Sequence, residues 1–72
     1  MDRISVKSKS IKSVAYEPMY FALEIEFIGG ELRQYNDVPE FVYWDFIDAP
    51  SQGTYFKMHI EKEFKFVEIK EV

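Results

Sequence analysis

An α+β fold, an antiparallel meander of three to four strands followed by two helices packed on one face, is what this 72-residue sequence predicts. Three observations carry that expectation. Apolar residues alternate at period two through Phe21, Leu23, Ile25 and Phe27, with Glu24 and Glu26 in the gaps. Gly29-Gly30 follows at once, a pair suited to the positive φ of a tight hairpin. Proline and serine signals at Val38-Pro39-Glu40 and Pro50-Ser51 then open, close and reopen a helix.

Each element has its own reason. Ser10 to Glu17 alternates loosely, with Ile11, Ser13 and Ala15 on one side and Lys12, Val14 and Tyr16 on the other, and Glu17-Pro18 ends it as an outer strand. Tyr20 to Ile28 is a strand with one apolar and one wet face, and Glu31 to Asp37 returns beside it. The parity of the turn leaves two arrangements open. A two-residue loop sets Glu26 opposite Arg33 and Glu24 opposite Tyr35, on the wet face; a three-residue loop turns Arg33 and Tyr35 onto the Phe face. The opposite charges of Glu26 and Arg33 lean slightly toward the even loop.

Pro39 suits the first position of a helix, where no N–H is needed, and Asp37 and Glu40 complement its positive end. Val38, Val42, Phe46 and Ala49 share one face, leaving Phe41, Trp44 and Tyr43 around the other. Ser51 can cap the second helix by accepting from the N–H of Gly53 or Thr54. There Phe56, Ile60 and Phe64 form a stripe that buries against the sheet. Lys65 to Val72 ends the chain as a short strand or a frayed tail.

Size and composition narrow the function classes. Residues 1–72 fit one small domain, which at this size needs a rich core; seven Phe, five Tyr and one Trp among 47% hydrophobic residues provide it. The absence of cysteine excludes disulfides and thiolate metal sites. No signal-peptide core and no long apolar run appear, so the expected location is cytoplasmic, with no membrane partner. The net charge of −4 is unevenly placed: residues 1–13 hold four bases against one acid, and residues 14–72 five bases against twelve acids. An acidic body disfavours general binding to long duplexes. The basic leader reads first as an edge strand protected by lysines, and second as a contact for RNA or an acidic partner.

No catalytic constellation stands out. His59 is the single histidine, and a Tyr55, His59, Glu63 column at helical spacing is more simply a surface feature than a proton relay. Glu24 with Glu26, and Asp45 with Asp48, read as solvated acids, and no metal or cofactor is expected. Gly29-Gly30 lies between strands, so it is no phosphate-binding loop. The surplus rings Phe41 and Trp44 fit a protein interface or a weak homodimer better than a base-stacking platform, which usually comes with a basic groove.

The order Ser10-Ile11, Tyr16, Leu23, Phe27, Gly30, Tyr35, Val38-Pro39, Val42-Tyr43, Ala49, Ser51-x-Gly53, Tyr55-Phe56 and Ile60 resembles the KTSC domain over residues 8–64. That family is named for a segment at the C-terminus of some lysyl-tRNA synthetases and also occurs as small stand-alone bacterial proteins. The resemblance implies a non-enzymatic binding module, with RNA, tRNA in particular, as the suggested ligand. Arg33, Tyr35, Lys57 and the basic leader are then the contacts to expect. The family pattern has two tyrosines separated by one residue; here Arg33 takes the first place. Lys57 stands where asparagine is common and Glu61 where arginine is usual, which weakens an RNA-binding surface. The alternative expectation is a protein-interaction or homodimerisation domain using Phe41 and Trp44.

Overall fold

The computed structural model describes residues 3–69. Five strands, β1 (Arg3–Ser5), β2 (Ile11–Glu17), β3 (Ala22–Phe27), β4 (Leu32–Tyr35) and β5 (Phe66–Glu68), form one sheet in sequence order, and every neighbouring pair is antiparallel. Between β4 and β5 the chain forms α1 (Glu40–Asp48) and α2 (Gln52–Tyr55), and α2 runs on as a π-helical segment, Phe56–Ile60. The α+β architecture is the expected one, with five strands in place of three to four. The two edge strands are three residues each: β5 falls in the Lys65 to Val72 segment read as a short strand or a tail, and β1 in the basic leader read as an edge protected by lysines. Short edges also limit sheet-to-sheet aggregation.

The helices cover one face of the sheet. Val14 and Tyr16, Leu23 and Ile25, and Tyr35 point into this layer, where they meet Val38, Val42, Phe46, Phe56 and Ile60. An irregularity in the β2–β3 pairing between Ile11 and Ser13 brings Ile11 into the same core, out of the alternation read from sequence. The opposite face is polar. There the Arg3 guanidinium pairs with Glu24 and donates to Ser13 Oγ at 3.0 Å, and the Ser13 hydroxyl donates to Glu26 at 2.8 Å. A solvated polar face is the usual arrangement for an antiparallel sheet covered on one side.

Three details depart from the sequence expectations. Phe21 does not join the apolar stripe: it sits in the β2–β3 turn with φ of 52° and is 53% exposed. The turn that begins at Glu17-Pro18 ends only at Phe21, through bonds from Tyr20 N to Glu17 O and from Phe21 N to Pro18 O. The β3–β4 loop is odd. Phe27 N donates to Glu31 O at 2.8 Å across Ile28, Gly29 and Gly30, and the two glycines take φ of 111° and 106°, which other residues adopt only with strain. Leu23 therefore faces Tyr35 and Ile25 faces Arg33, so Arg33 and Tyr35 lie on the helix-covered side.

Pro39, expected at the first helical position, is instead the N-cap of α1, and its carbonyl accepts from Val42 N at 3.0 Å and Tyr43 N at 3.4 Å. Tyr43, read as an outer residue, is buried, its ring stacked on Tyr16 with centroids 4.9 Å apart. Ser51 caps α2 by accepting from Thr54 N. Glu61 N reaches back to Phe56 O at 2.8 Å, the wider turn of a π-helix, so residues after Ile60 leave the helical phase that sequence spacing assumes. Of the C-terminal segment, Phe66–Glu68 is a strand; residues 70–72 lie outside the described residues.

Candidate functional site

At one end of the strands the β1–β2 loop, Lys7 to Ser10, lies against the start of α2. The two segments enclose an open notch of about 420 Å³ lined by Lys7, Lys9 and Lys57, the hydroxyl residues Ser8, Ser10, Ser51 and Thr54, and no acidic residue. Gly53 permits the close approach: a Cβ there would stand 3.2 Å from Ser8 Oγ. The glycine of the Ser51-x-Gly53 spacing is thus explained by the space it leaves, while the serine caps the helix. Sequence reading named Lys57 and the basic leader separately. Their meeting depends on helix packing over the sheet, which no local pattern records.

Arg33 and Tyr35 lie elsewhere, Arg33 half-buried and Tyr35 in the core. Tyr35 is fully buried and packs edge-on against Phe56, with centroids 5.6 Å apart. The Arg33 guanidinium lies between the rings of Phe27, at 4.8 Å, and Phe66, at 4.4 Å. It donates to Glu31 at 2.7 Å, to the Tyr35 hydroxyl at 2.9 Å and to Glu61 at 3.1 Å. These carboxylates, Glu31 foremost, raise the Arg33 pKa further above its already basic value, and burial raises that of Tyr35. Arg33 is therefore a cross-brace tying β4, β5 and the end of the π-helical segment together. The three-residue loop is the reason that both residues lie on the helix-covered side of the sheet.

The other end of the strands is aromatic. Val38 N donates to Phe21 O at 2.9 Å and the Tyr16 hydroxyl donates to Val38 O at 2.6 Å, holding the β2–β3 turn beside the start of α1. Burial, with Glu40 contributing, raises the Tyr16 pKa. Outside this clamp Met19, Tyr20, Phe21, Phe41 and Trp44 are each at least half exposed. Phe41 and Trp44 thus occupy the outer side of α1, as the sequence indicates. Trp44 is braced by a bond from its Nε1 to Glu40 at 3.2 Å and by its tilt against Tyr43.

The remaining candidates do not assemble into chemistry. Tyr55 and His59 rings approach to 4.7 Å, but no hydrogen bond joins His59 to Glu63, which lies past the π-helical segment. Glu24 and Glu26 share the polar face and are tied to Arg3, Ser13 and Lys12. Among the described residues no three histidine, aspartate or glutamate side chains gather as metal ligands would, and no helix is long and apolar enough to cross a membrane.

The fold and its surfaces define a small α+β domain with a lysine-lined notch at one end of the sheet and exposed aromatics at the other. The chain belongs to the KTSC domain family, whose sequence profile matches residues 7–64. A KTSC domain protein from Yersinia pestis superposes with a TM-score of 0.91 at 35% identity, covering 96% of this chain and 97% of that one. An uncharacterized protein of Stutzerimonas stutzeri is 38% identical over 56 residues, 78% of this chain and 79% of its own length. Two relatives are lysine–tRNA ligases, from Nostoc sp. (37% identical) and Nostoc punctiforme (39%); each matches 82% of this chain but only 10% of the ligase.

Proposed function

We propose that this KTSC domain is a non-enzymatic RNA-binding module that contacts phosphate through Lys57, Lys7 and Lys9. The observation that carries this reading is the meeting of three unpaired lysines in a notch with no carboxylate, on a protein whose net charge is −4. Arg3, Lys12 and Arg33 are engaged by Glu24, Glu26, Glu31 and Glu61, so the notch gathers three of the five described lysines that no acid pairs, Lys62 and Lys65 being the others. The kinship with part of two lysine–tRNA ligases supports tRNA as the RNA to try first. A cytoplasmic location accompanies the reading, since tRNA is met there.

Three phosphate contacts set the expected behaviour. Affinity for tRNA should fall by roughly 20- to 40-fold between about 50 and 200 mM salt, because each neutralised phosphate releases counterions. Lys57→Glu should weaken binding by at least about tenfold while leaving thermal unfolding in place, as the side chain is exposed. Fluorescence anisotropy measures both. Absence of binding at low salt removes the proposal.

A second reading rests on the aromatic end, where Phe41 is 67% and Trp44 50% exposed. Rings of this size are favoured anchors of protein interfaces. A homodimer formed there would appear in sedimentation velocity and be lost on Trp44→Ala. A monomer at every concentration would leave a different protein as the only partner for that surface.

A further inference from the structure

We infer, resting on the RNA reading above, that the notch receives the terminal phosphate of an RNA strand, a phosphomonoester, rather than phosphates within the strand. The hydrogen-bonding state of its lining points this way. Ser8 Oγ accepts from Ser10 N at 3.2 Å and from Ile11 N at 3.3 Å, so its acceptor capacity is used and its own hydrogen is left to donate. The Ser51 hydroxyl donates to Thr54 Oγ1 at 3.0 Å, which leaves the Thr54 hydrogen to donate in turn. Ser10 Oγ and the ammonium groups of Lys7, Lys9 and Lys57 make no hydrogen bond or ion pair. The notch therefore offers three cations and three hydroxyl hydrogens, with no carboxylate among them.

A ligand that satisfies such a set carries several oxygens and more than one negative charge. A phosphomonoester does, with three acceptor oxygens and a charge near −2 at neutral pH. An internal phosphodiester presents two free oxygens and a single charge, and needs a row of cations to follow the strand. Among the described residues no such row leads away from the notch. Arg3, Lys12 and Arg33 are paired with acids, and Lys62 and Lys65 lie beyond the helical segment that begins at the notch. At about 420 Å³ the notch has room for a phosphate with its nucleoside but is not a channel.

The test uses the full chain and one short single-stranded RNA sequence, labelled internally and prepared with a 5′-phosphate, a 3′-phosphate, or hydroxyls at both ends. One phosphorylated form should bind about tenfold tighter than the dihydroxyl form, the gain expected from charge-assisted bonds. Lys57→Ala should erase that difference without changing the circular dichroism spectrum. Equal binding of all three strands overturns the terminal-phosphate inference and leaves the RNA-binding proposal standing, whereas binding of none removes both. A preference that survives Lys57→Ala combined with Lys7→Ala places the end-recognition elsewhere and also overturns the inference. Inorganic phosphate at the concentration of the RNA should not compete; if it displaces the strand, the notch is a free-phosphate site and the RNA end is not its ligand.

Discussion

The two ends of the sheet are finished in opposite ways. At the notch end the chain is tied by hydroxyl-to-backbone bonds, Ser8 to Ser10 and Ile11, Ser51 to Thr54, and the side chains left over are cations. At the other end a buried clamp of Tyr16, Val38 and Tyr43 holds the β2–β3 turn to α1, and the side chains left over are rings. In both places the groups that fix the backbone are distinct from the cations or rings that face outward. Stability and binding should therefore separate under mutation, and α1, which starts at the aromatic end and leads through Pro50 to the notch, is the element the two ends share.

The sharpest way to break the comparison is to loosen that shared element. Phe46 is fully buried and central to the apolar face of α1. Phe46→Ala should cost about 3–5 kcal/mol, near the whole stability of so small a domain, and both ends should fail together in chemical denaturation and in RNA binding. If RNA binding persists after the Trp44 environment is lost, the notch is held by the sheet alone and α1 does not link the ends.

Arg33 offers the next largest effect. Arg33→Ala removes two ring contacts and three hydrogen-bonded partners and should destabilise by about 2 kcal/mol. The cost stays below that of a fully buried pair because Glu31 and Glu61, with side chains 37% and 44% exposed, can turn to water. RNA affinity measured on the folded fraction should not change. A lost affinity with an intact fold would return Arg33 to the ligand-contact role that its sequence position suggests.

That prediction also marks where sequence reading stops. The period-two stripe, the proline and serine helix signals and the Phe56, Ile60 spacing are local, and they yielded β3, α1, α2 and most of the core. The outward positions of Phe41 and Trp44 followed from the same helix. Arg33 and Tyr35 depended on whether the loop at Gly29-Gly30 held two or three residues, a choice that reverses every side chain beyond it. The charge pair of Glu26 with Arg33 favoured the wrong parity, because Arg33 had better partners in Glu31, Glu61 and two rings that only tertiary packing brings near. The notch was illegible for a related reason. Lys7, Lys9 and Lys57 are brought together at the end of the sheet by the space at Gly53, and no sequence period connects them.

Alkaline pH acts on the interior tyrosines. Burial raises the pKa of Tyr16, Tyr35 and Tyr55 above the usual tyrosine value of 10.0. Below that value these groups are protonated both folded and unfolded, so their contribution to stability is fully present. As pH rises past it the unfolded chain releases these protons more readily, and stability falls until the raised folded values are passed. The stability measured by equilibrium unfolding should therefore decline above about pH 10. Trp44, the single tryptophan, sits beside Tyr43 and reports the aromatic end. Tyr16→Phe keeps the ring stack but removes one of the titrating hydroxyls, and should flatten the decline. An unchanged slope in that variant would show that the clamp is not what alkali releases.

The smallest expected change in stability is at Gly53. Replacing it by alanine favours the helix by up to about 1 kcal/mol. The new Cβ, at 3.2 Å from Ser8 Oγ, pushes the β1–β2 loop by a few tenths of an ångström. Ser8 is held by bonds of 3.2 and 3.3 Å, at the long end of the range, so the loop can yield. The two effects oppose each other, and net stability should move by less than about 1 kcal/mol. The displaced loop carries Lys7 and Lys9, however, so RNA affinity should drop severalfold while self-association through Trp44, at the far end, stays as it was. Wild-type RNA affinity in Gly53→Ala, alongside a loss in Lys57→Glu, would mean that the notch works by charge alone and that the close approach of loop and helix sets no geometry for the ligand.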